Sequence, residues 1–447
     1  MHRTGLRGAA YALIVICYFA SSAFAQWKEK VIYSFQGGTD GAVPAGGMVF
    51  DKSGNLYGAT EDGGANGCNS PGPCGTVFEL SPPAKPGGTW TEKVLYVFKG
   101  QAYGDGATPE GSVIIDNAGN LYGTTGYGGT GSCALLGGPV GCGTVYELSP
   151  PAQAGDPWTE KVLYSLQGGN DGYVATGNLV FDRAGNLYGA TLFGGGQGTT
   201  CDSLYGGNCG TVFELSPPKT EGSPWTEVVL HSFSGGTDGA VPNGGLVVGP
   251  DNGIYGTTFY GGNASCAGLE GTGCGTVFRL ARAKEAGAWS ESLIHVFTDG
   301  VDGSWPDAGL TIDPTGYLYG TSISTVFRLA PPSKNAHAWE ETILYEFGNE
   351  AWGPEGPLLL GKADKLYGTT YSSQQFSGTV FELQPDVADG GPWSFDLLYG
   401  FSPGGDGGQP VGSLTFHTGQ LYGTTQKGGT GTACGFAGCG AVFEVFP

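Results

Sequence analysis

The chain has 447 residues, of which 87 are glycine and only 13% are charged, and its formal net charge is −21 at pH 7. This length allows two or three ordinary domains or one large all-β domain. A chain this acidic is repelled by phosphate backbones and anionic lipid surfaces, which excludes nucleic acid and membrane surfaces as expected partners.

The first 25 residues have the pattern of a secretory signal peptide. Arg3 and Arg7 precede an apolar run at residues 9–20, and Ala23-Phe24-Ala25 is a small-residue cleavage site. The run is too short to span a bilayer comfortably. We therefore expect a mature chain that begins at Gln26 and is a secreted or periplasmic monomer.

Three motifs recur in a fixed order along residues 26–447. The first is a tryptophan-led β-rich run such as WTEKVLYVF, at Trp27, Trp90, Trp158, Trp225, Trp289, Trp339 and Trp393. The second is Leu-Tyr-Gly or Ile-Tyr-Gly, starting at Leu56, Leu121, Leu187, Ile254, Leu318, Leu366 and Leu421. The third is related to Val-Phe-Glu-Leu, starting at Val77, Val145, Val212, Val277, Val326, Val380 and Val442. Each motif therefore occurs seven times, which indicates seven structural repeats.

Each repeat predicts four short strands. The segments GGMVF, NLYGAT and GTVFEL are rich in β-formers and bounded by Gly, Asn, Asp and Pro, as is the tryptophan run. Seven units of about 60 residues predict one all-β domain, a seven-bladed β-propeller of four-stranded blades. GGMVF is the predicted inner strand, and the tryptophan run is the predicted outer strand. A linear β-solenoid is the rival fold.

The two ends of the chain favour the closed ring. The mature chain begins with an outer strand at residues 27–35 and ends with a third strand at residues 441–446. The last repeat therefore lacks its fourth strand. We expect the N-terminal strand to supply it by pairing with residues 441–446.

The recurring pattern GNLYGTT…GG…GTVFEL resembles the GloVer tandem repeat of secreted or surface-anchored bacterial proteins. The resemblance covers nearly all of the mature chain. It implies architecture and location rather than chemistry, since that family has no established catalytic activity. Many members carry a C-terminal anchoring segment. This sequence ends at GAVFEVFP, so the resemblance implies a released or periplasmic protein.

Ten cysteines remain after removal of the leader, and they fall in five close pairs. The pairs are Cys68/Cys74, Cys133/Cys142, Cys201/Cys209, Cys266/Cys274 and Cys434/Cys439. Each pair lies in a long insertion between the second and third strands, and the fifth and sixth repeats lack both the cysteines and the long insertion. We predict five local disulfides that fix these loops. Metal ligation is the alternative, although no CxxC spacing or neighbouring histidine supports it.

Aspartate recurs at two kinds of turn. Asp51, Asp116, Asp182 and Asp313 precede the second strand, where we expect them to form the turn. An Asp-Gly pair recurs in the crossovers that join one blade to the next, at Asp40, Asp105, Asp171, Asp238, Asp302 and Asp406. These aspartates fit turn formation, and a ring of them could also hold Ca²⁺. We predict no other cofactor and no other metal.

Two tryptophans, Trp305 and Trp352, lie outside the outer strands, in the crossovers of the two blades without cysteines. The surrounding polar residues are Asp302, Asp307, Glu350, Glu355, Tyr371, Gln374 and Gln375. Indole faces beside carboxylates and amides suit a sugar, so we predict a ligand cleft at this gap in the rim. The alternative is that both indoles only cover core left bare by the shorter loops.

Catalytic motifs are scarce in the sequence. The histidines of the mature chain, His231, His295, His337 and His417, are predicted away from the channel mouth, which argues against histidine catalysis or a histidine metal site there. The inner strands read MVF, VII, LVF, LVV and LLL, which predicts an apolar channel lining without acid or base.

Three functions remain. The first, which we favour, is a secreted module that binds carbohydrate or a surface protein through its loop face. The second is a carboxylate-based glycoside hydrolase or lyase, for instance with Asp307 and Glu355. The third is a structural repeat protein without a small ligand. The scarcity of catalytic residues leads us to expect a protein that is not an enzyme, and the fold alone does not decide between these functions.

Overall fold

The computed structural model describes most of residues 27–447. It covers residues 27–64, 74–85, 87–135, 138–153, 155–196, 209–220, 222–262, 266, 273–283, 288–333, 338–348, 351–354, 356–373, 375–385, 393–402 and 404–447. The predicted signal peptide, residues 1–25, lies outside them.

The described residues form seven four-stranded antiparallel sheets. In six of them the strands follow sequence order from the centre outwards, and in the seventh the outermost strand is the N-terminal strand of the chain. The inner strands of blades 1–7 are Ala42–Phe50, Ile114–Ile115, Val180–Phe181, Val247–Val248, Thr311–Ile312, Leu359–Leu360 and Gly408–His417. The second strands are Leu56–Asp62, Leu121–Thr125, Leu187–Thr191, Ile254–Thr258, Leu318–Thr321, Leu366–Thr370 and Gln420–Lys427. The third strands are Thr76–Ser81, Thr144–Ser149, Thr211–Ser216, Thr276–Arg282, Thr325–Ala330, Thr379–Gln384 and Ala441–Phe446. The outer strands are Thr91–Val97, Thr159–Ser165, Thr226–Ser232, Trp289–Val296, Glu340–Glu346, Ser394–Gly400 and, for blade 7, Lys28–Ser34. The predicted seven-bladed propeller is confirmed.

Short elements lie in the connections. Two-residue strands pair as Gly106–Ala107 with Tyr127–Gly128, Ala134–Leu135 with Gly138–Pro139, and Ala351–Trp352 with Ser372–Ser373. Single 3₁₀ turns span Gly38–Asp40, Gln101–Tyr103, Gly169–Asp171, Lys362–Asp364 and Gly435–Ala437.

The ring closes as the sequence predicts. Lys28–Ser34 pairs antiparallel with Ala441–Phe446, with Lys28 opposite Phe446 and Ser34 opposite Ala441. The N-terminal strand is therefore the outer strand of blade 7, and the linear solenoid is excluded.

The hydrophobic core lies between adjacent blades rather than on the channel axis. One cluster joins Ile32, Phe35 and Val442 of blade 7 to Met48 and Phe78 of blade 1. Each blade packs against a neighbour on both of its faces. In blade 2, Val113 packs towards blade 1 and Ile114 packs towards blade 3. The apolar inner-strand residues are thus consumed by packing between blades.

The outer-strand tryptophans also pack between blades, as expected. Each described pair places an indole 6.0–6.4 Å from the Leu-Tyr-Gly tyrosine of the preceding blade. The pairs are Trp90 with Tyr422, Trp158 with Tyr57, Trp289 with Tyr188, Trp339 with Tyr255 and Trp393 with Tyr319.

Candidate functional site

The crossovers and the loops between second and third strands lie on one face of the ring, which we call the loop face. Gly75, at the end of such a loop in blade 1, lies against Pro109 in the crossover to blade 2. Gly275 and Pro306 repeat this contact between blades 4 and 5. The loop face therefore surrounds one mouth of the central channel.

Disulfides fix most of these loops. Cys133–Cys142, Cys266–Cys274 and Cys434–Cys439 are bonded as predicted. Cys74 and Cys209 are disulfide-bonded too, and their predicted partners, Cys68 and Cys201, lie outside the described residues. The metal-ligation alternative is excluded for the bonded cysteines.

Each fixed loop holds the crossover of the next blade through a backbone hydrogen bond. The carbonyl of the second cysteine accepts from a crossover N–H at 2.7–3.0 Å: Cys74 from Thr108, Cys142 from Val174, Cys209 from Val241, Cys274 from Trp305, and Cys439 from Val43. The donating residues have left-handed backbone angles, with φ of 51–60°. This conformation is costly for non-glycine residues, so the loop and the crossover hold each other in place.

Two residues beyond each of these donors, the chain reaches the channel axis. For blades 1–5 these residues are Ala45, Glu110, Thr176, Asn243 and Asp307, and Glu355 and Val411 occupy the same register of the sequence in blades 6 and 7. Glu355 lies outside the described residues. One residue further on are Gly46, Gly111, Gly177, Gly244, Ala308, Gly356 and Gly412, small residues that let neighbouring backbones approach closely around the axis.

These residues enclose a polar cavity of about 210 Å³ at the channel mouth, which we call the cup. Residues of all seven blades line it, and its polar side chains are Glu61, Glu110, Thr176, Asn178, Asn243, Asp307 and Gln426. No lysine or arginine occurs among the described lining residues. The expectation of an apolar lining is therefore wrong at the mouth, because the apolar inner-strand side chains pack against neighbouring blades instead.

The carboxyl groups of the cup are buried without a neighbouring cation among the described residues, and their pKa values are raised. Burial raises the pKa of Glu110 to about 7. Burial raises the pKa of Glu61 to about 8, aided by the charges of Glu110 and Asp62 and opposed by a hydrogen bond from Gln426. Burial also raises the pKa of Asp307, against the opposing hydrogen bond from Asn243. At neutral pH the cup thus holds partly protonated acids that can both donate and accept hydrogen bonds.

A hydrogen-bond network orients the other side of the cup. The Thr176 hydroxyl donates to Asn243 Oδ1 at 3.1 Å, and Asn243 Nδ2 donates to Asp307 Oδ1. Asn178 Oδ1 accepts from the Ser112 backbone N–H at 2.8 Å. The cup therefore has a fixed polar wall formed by blades 3, 4 and 5.

The sequence-predicted cleft residues lie in different places. Asp307 lines the cup. Asp302 is buried in the preceding turn, where it accepts hydrogen bonds from Thr298 and Gly300. The structure therefore brings Asp307 towards Glu61 and Glu110 rather than towards Asp302.

The aromatic residues of that cleft are partly described. Trp305 is half-buried, its ring lies parallel to Phe259 at 6.5 Å, and its indole N–H donates to the Gly273 carbonyl at 3.3 Å. Tyr371 is half-buried, and its N–H donates to the Gly353 carbonyl. Trp352 belongs to a two-residue strand whose side chains are not described, and Glu350 and Gln374 lie outside the described residues. Carbohydrate binding at this cleft stays a prediction.

A groove does occur where the loops of blades 5 and 6 are short. Its cavity of about 590 Å³ is lined by Tyr345, Phe347, Phe376 and Phe395, with Gln375 at its edge. Tyr345 and Phe395 stack at 4.5 Å between ring centroids. This groove offers aromatic faces, and the cup offers hydrogen-bonding groups.

The recurrent aspartates mainly organise turns. Asp51 accepts from the backbone N–H groups of Ser53 and Asn55, and Asp116 and Asp182 repeat this arrangement, which confirms their turn role. The crossover aspartates accept a backbone N–H from the second residue after the outer strand, as Asp105 does from Lys99 at 2.9 Å. The calcium hypothesis for them stays a prediction.

Sequence reasoning missed Glu61, Glu110, Asn178, Asn243 and Gln426. A signal for part of this set was present. Aligning the seven crossovers on Val-Pro, Thr-Pro and Trp-Pro brings Glu110, Asn243 and Asp307 to one register, one step before the small residues at the axis. Glu61 and Gln426 occupy one register as well, directly after the Thr that ends Leu-Tyr-Gly-x-Thr.

The family comparison agrees with this architecture. Residues 131–337 match the Gloeobacter/Verrucomicrobia repeat. This part of the chain therefore carries the Gloeobacter/Verrucomicrobia repeat. This confirms the resemblance drawn from the Leu-Tyr-Gly and Val-Phe-Glu-Leu motifs. No curated protein matches the sequence.

Three solved structures are similar to the chain over most of its length. PorZ, a surface component of the type IX secretion system of Porphyromonas gingivalis, is 14% identical with a TM-score of 0.48, covering 92% of this chain and 47% of PorZ. The PQQ domain of pyranose dehydrogenase from Coprinopsis cinerea is 12% identical with a TM-score of 0.45, covering 94% and 95%. A luciferin-regenerating enzyme is 12% identical with a TM-score of 0.43, covering 94% and 95%. Their activities belong to those proteins.

Two observations bear on location. The described part of the chain contains no helix with the length and hydrophobicity needed to cross a bilayer. Its disulfides are typical of proteins outside the cytoplasm.

Proposed function

We propose that the protein is an exported binding module that holds a small neutral or positively charged polyhydroxy ligand, such as one carbohydrate residue, in the cup. The observation that carries the proposal is the convergence of carboxyl, amide and hydroxyl groups at the channel mouth without a basic residue among the described lining. Sugar hydroxyls donate to carboxylates and amide oxygens and accept from amide N–H groups.

The same observation sets the charge of the ligand. Glu61, Glu110 and Asp307 have no buried cation to offset them in the described cup. A phosphate, sulfate or uronate group would be repelled, whereas hydroxyl or ammonium groups would satisfy the acids. A cavity of about 210 Å³ suits a single sugar residue better than a long oligosaccharide.

A glycan array probed with the mature chain from Gln26 tests this function. Neutral or amino sugars should bind, and a Glu110→Gln/Asp307→Asn variant should lose the signal because each change replaces a carboxyl oxygen of the cup with an amide NH₂ donor and removes its charge. Glu340→Gln is the matched control, since Glu340 is an exposed outer-strand acid. The absence of glycan binding by folded, disulfide-intact protein would overturn the carbohydrate proposal. Loss of binding only in a Trp305→Ala/Trp352→Ala variant would move the site from the cup to the rim.

Carboxylate-based hydrolysis is the second candidate function, and the raised acids favour it. A group with a pKa of about 7 to 8, such as Glu110 or Glu61, is suited to general acid catalysis near neutral pH. Release of product from the glycan found on the array would show turnover. A Glu61→Gln variant that binds the glycan but releases no product would assign the acid.

A further inference from the structure

A set of three side chains recurs at the boundaries between blades. The outer strand of one blade contributes Tyr or His, the crossover contributes Asp, and the outer strand of the next blade contributes Glu. We call these sets boundary triads. They are Tyr33–Asp40–Glu92, Tyr96–Asp105–Glu160, Tyr164–Asp171–Glu227, His231–Asp238–Glu291, His295–Asp302–Glu341 and Tyr399–Asp406–Glu29.

In the four tyrosine triads the phenol satisfies the aspartate. Each Tyr hydroxyl donates to its Asp at 2.5–3.2 Å, while the same carboxylate accepts a backbone N–H. At the boundary between blades 5 and 6, Phe395 replaces the glutamate and stacks on Tyr345. The triad position is thus built either as a hydrogen-bonded polar set or as an aromatic pair.

The triad of His295 is built differently. Its Nε2 lies 3.3 Å from Glu341 Oε1 and 3.6 Å from Asp302 Oδ2, and neither contact has hydrogen-bond geometry. His295 Nε2 and Glu341 Oε1 are inaccessible to solvent and lack a hydrogen-bond partner, as do His231 Nε2 and the equivalent glutamate Oε1 of each other triad. What distinguishes this boundary among the described residues is that His295, Asp302 and Glu341 each place one ligand atom within 4.8 Å of the other two. No lysine or arginine of the described residues pairs with either carboxylate. Two carboxylates and an imidazole nitrogen therefore converge on a point that no protein group fills.

The spacing of these atoms fits a metal ion. Ligands held about 2.0–2.1 Å from a tetrahedral zinc ion are separated from each other by roughly 3.3–3.4 Å. The three ligand atoms lie within 4.8 Å of one another, and two of their separations are 3.3 and 3.6 Å. Asp302 is fixed beforehand by Thr298.

We propose that His295, Asp302 and Glu341 bind a divalent transition-metal ion of the zinc class at the boundary between blades 4 and 5. A nitrogen ligand with two carboxylates favours such an ion over Ca²⁺, which takes six to eight oxygen ligands. The ion joins the outer strand of blade 4 to that of blade 5. This site is separate from the cup and does not depend on the proposed function.

Calorimetric titration of the chelator-treated mature protein with Zn²⁺ at neutral pH tests the site. Wild type should bind one Zn²⁺ that millimolar Ca²⁺ does not displace, and its thermal midpoint should rise with Zn²⁺. His295→Tyr should lose this saturable binding and the thermal shift, and it should fold, because tyrosine occupies this position in four other triads.

His231→Tyr is the matched control. His231 lies 3.2 Å from Asp238 in the equivalent triad of the preceding boundary, so the variant makes the same chemical change one blade away. It should retain both the binding and the thermal shift. Failure of wild type to bind Zn²⁺, or equal binding by His295→Tyr and wild type, would overturn the proposal.

Discussion

The glycine of each Leu-Tyr-Gly motif lies beneath an aromatic ring of the third strand. A Cβ on Gly58, Gly320 or Gly368 would lie 2.5 Å from a ring carbon of Phe78, Phe327 or Phe381. These rings are fully buried and also meet the aromatic residue that follows the outer strand of the preceding blade, as Phe78 meets Phe35 at 5.1 Å. The motif is therefore set by packing between blades.

Gly320→Ala should destabilise blade 5. The added methyl group has no free volume beneath Phe327, so we expect a loss of about 1–3 kcal/mol in the free energy of unfolding. Urea unfolding followed by tryptophan fluorescence measures it. Gly405→Ala is the matched control, since no atom lies within 4 Å of its added Cβ and Gly405 is exposed. Equal stability of the two variants would contradict this packing role.

Residues that act on near neighbours in the sequence were predictable, whereas residues that act across blades were not. Turn aspartates such as Asp51 act within a few residues of sequence, and their role was predictable. Glu61 and Glu110 come from different blades, and their pKa values depend on a shared burial that no local pattern expresses. The site on the axis therefore required the three-dimensional register of all seven crossovers.

At the scale of elements, the disulfide loops act on the blade that follows them. The Cys274 carbonyl accepts the Trp305 N–H at 2.7 Å, two residues before Asp307. The Cys439 carbonyl accepts the Val43 N–H at 2.9 Å, two residues before Ala45. The pairing of cysteines was predictable because cysteines and long insertions disappear together in blades 5 and 6. Their action on the next crossover was not, because it passes through backbone hydrogen bonds.

Removal of one disulfide should therefore loosen one specific crossover. In Cys266→Ser/Cys274→Ser we expect faster hydrogen exchange at the Trp305 amide, with the Val43 amide unchanged. In Cys434→Ser/Cys439→Ser the Val43 amide should show faster hydrogen exchange and the Trp305 amide should be unchanged. Each variant should lose about 2 kcal/mol of stability by the loop-entropy estimate. If both amides respond equally to either change, the loops are not acting on single crossovers.

The same pair of variants links the loops to binding. Loss of the Cys266–Cys274 bond should weaken binding of the glycan found on the array, because Asp307 follows the loosened crossover. Loss of the Cys434–Cys439 bond should leave binding unchanged, because Ala45 at the equivalent position offers no polar group. Calorimetry with that glycan measures both affinities. Weaker binding by the second variant alone would argue against the cup as the site.

At the scale of the whole molecule, two features matter: strands from the two ends of the chain close the ring, and acidic side chains recur at the boundaries between blades. The pairing of residues 28–34 with residues 441–446 was predictable because the repeat leaves one strand over at each end. The boundary triads were not predicted as sets, since their members come from two blades. In five of the six triads burial raises the pKa of the glutamate to about 7, and the negative charge of the triad's aspartate raises it further.

These raised pKa values predict that the protein is more stable at pH 5 than at pH 8. Glu29, Glu92, Glu160 and Glu227 have folded pKa values of about 7 against a reference of 4.5. The folded state therefore binds protons more tightly than the unfolded state, and the resulting stabilisation is fully present below pH 4.5 and lost as the pH rises through 7. Acids with lowered pKa values, such as Asp238, act in the opposite direction only below their reference of 3.8.

Thermal unfolding from pH 5 to 8 at constant ionic strength measures this dependence, with chelator present so that no metal ion contributes. The midpoint of wild type should fall steadily across the range. Replacing Glu29, Glu92, Glu160 and Glu227 together by Gln should flatten the profile, because a neutral amide keeps the shape of the protonated acid and removes its titration. Glu340→Gln, at an exposed position, should leave the wild-type slope intact. A quadruple variant with the wild-type slope would show that these four boundary acids do not set the pH dependence.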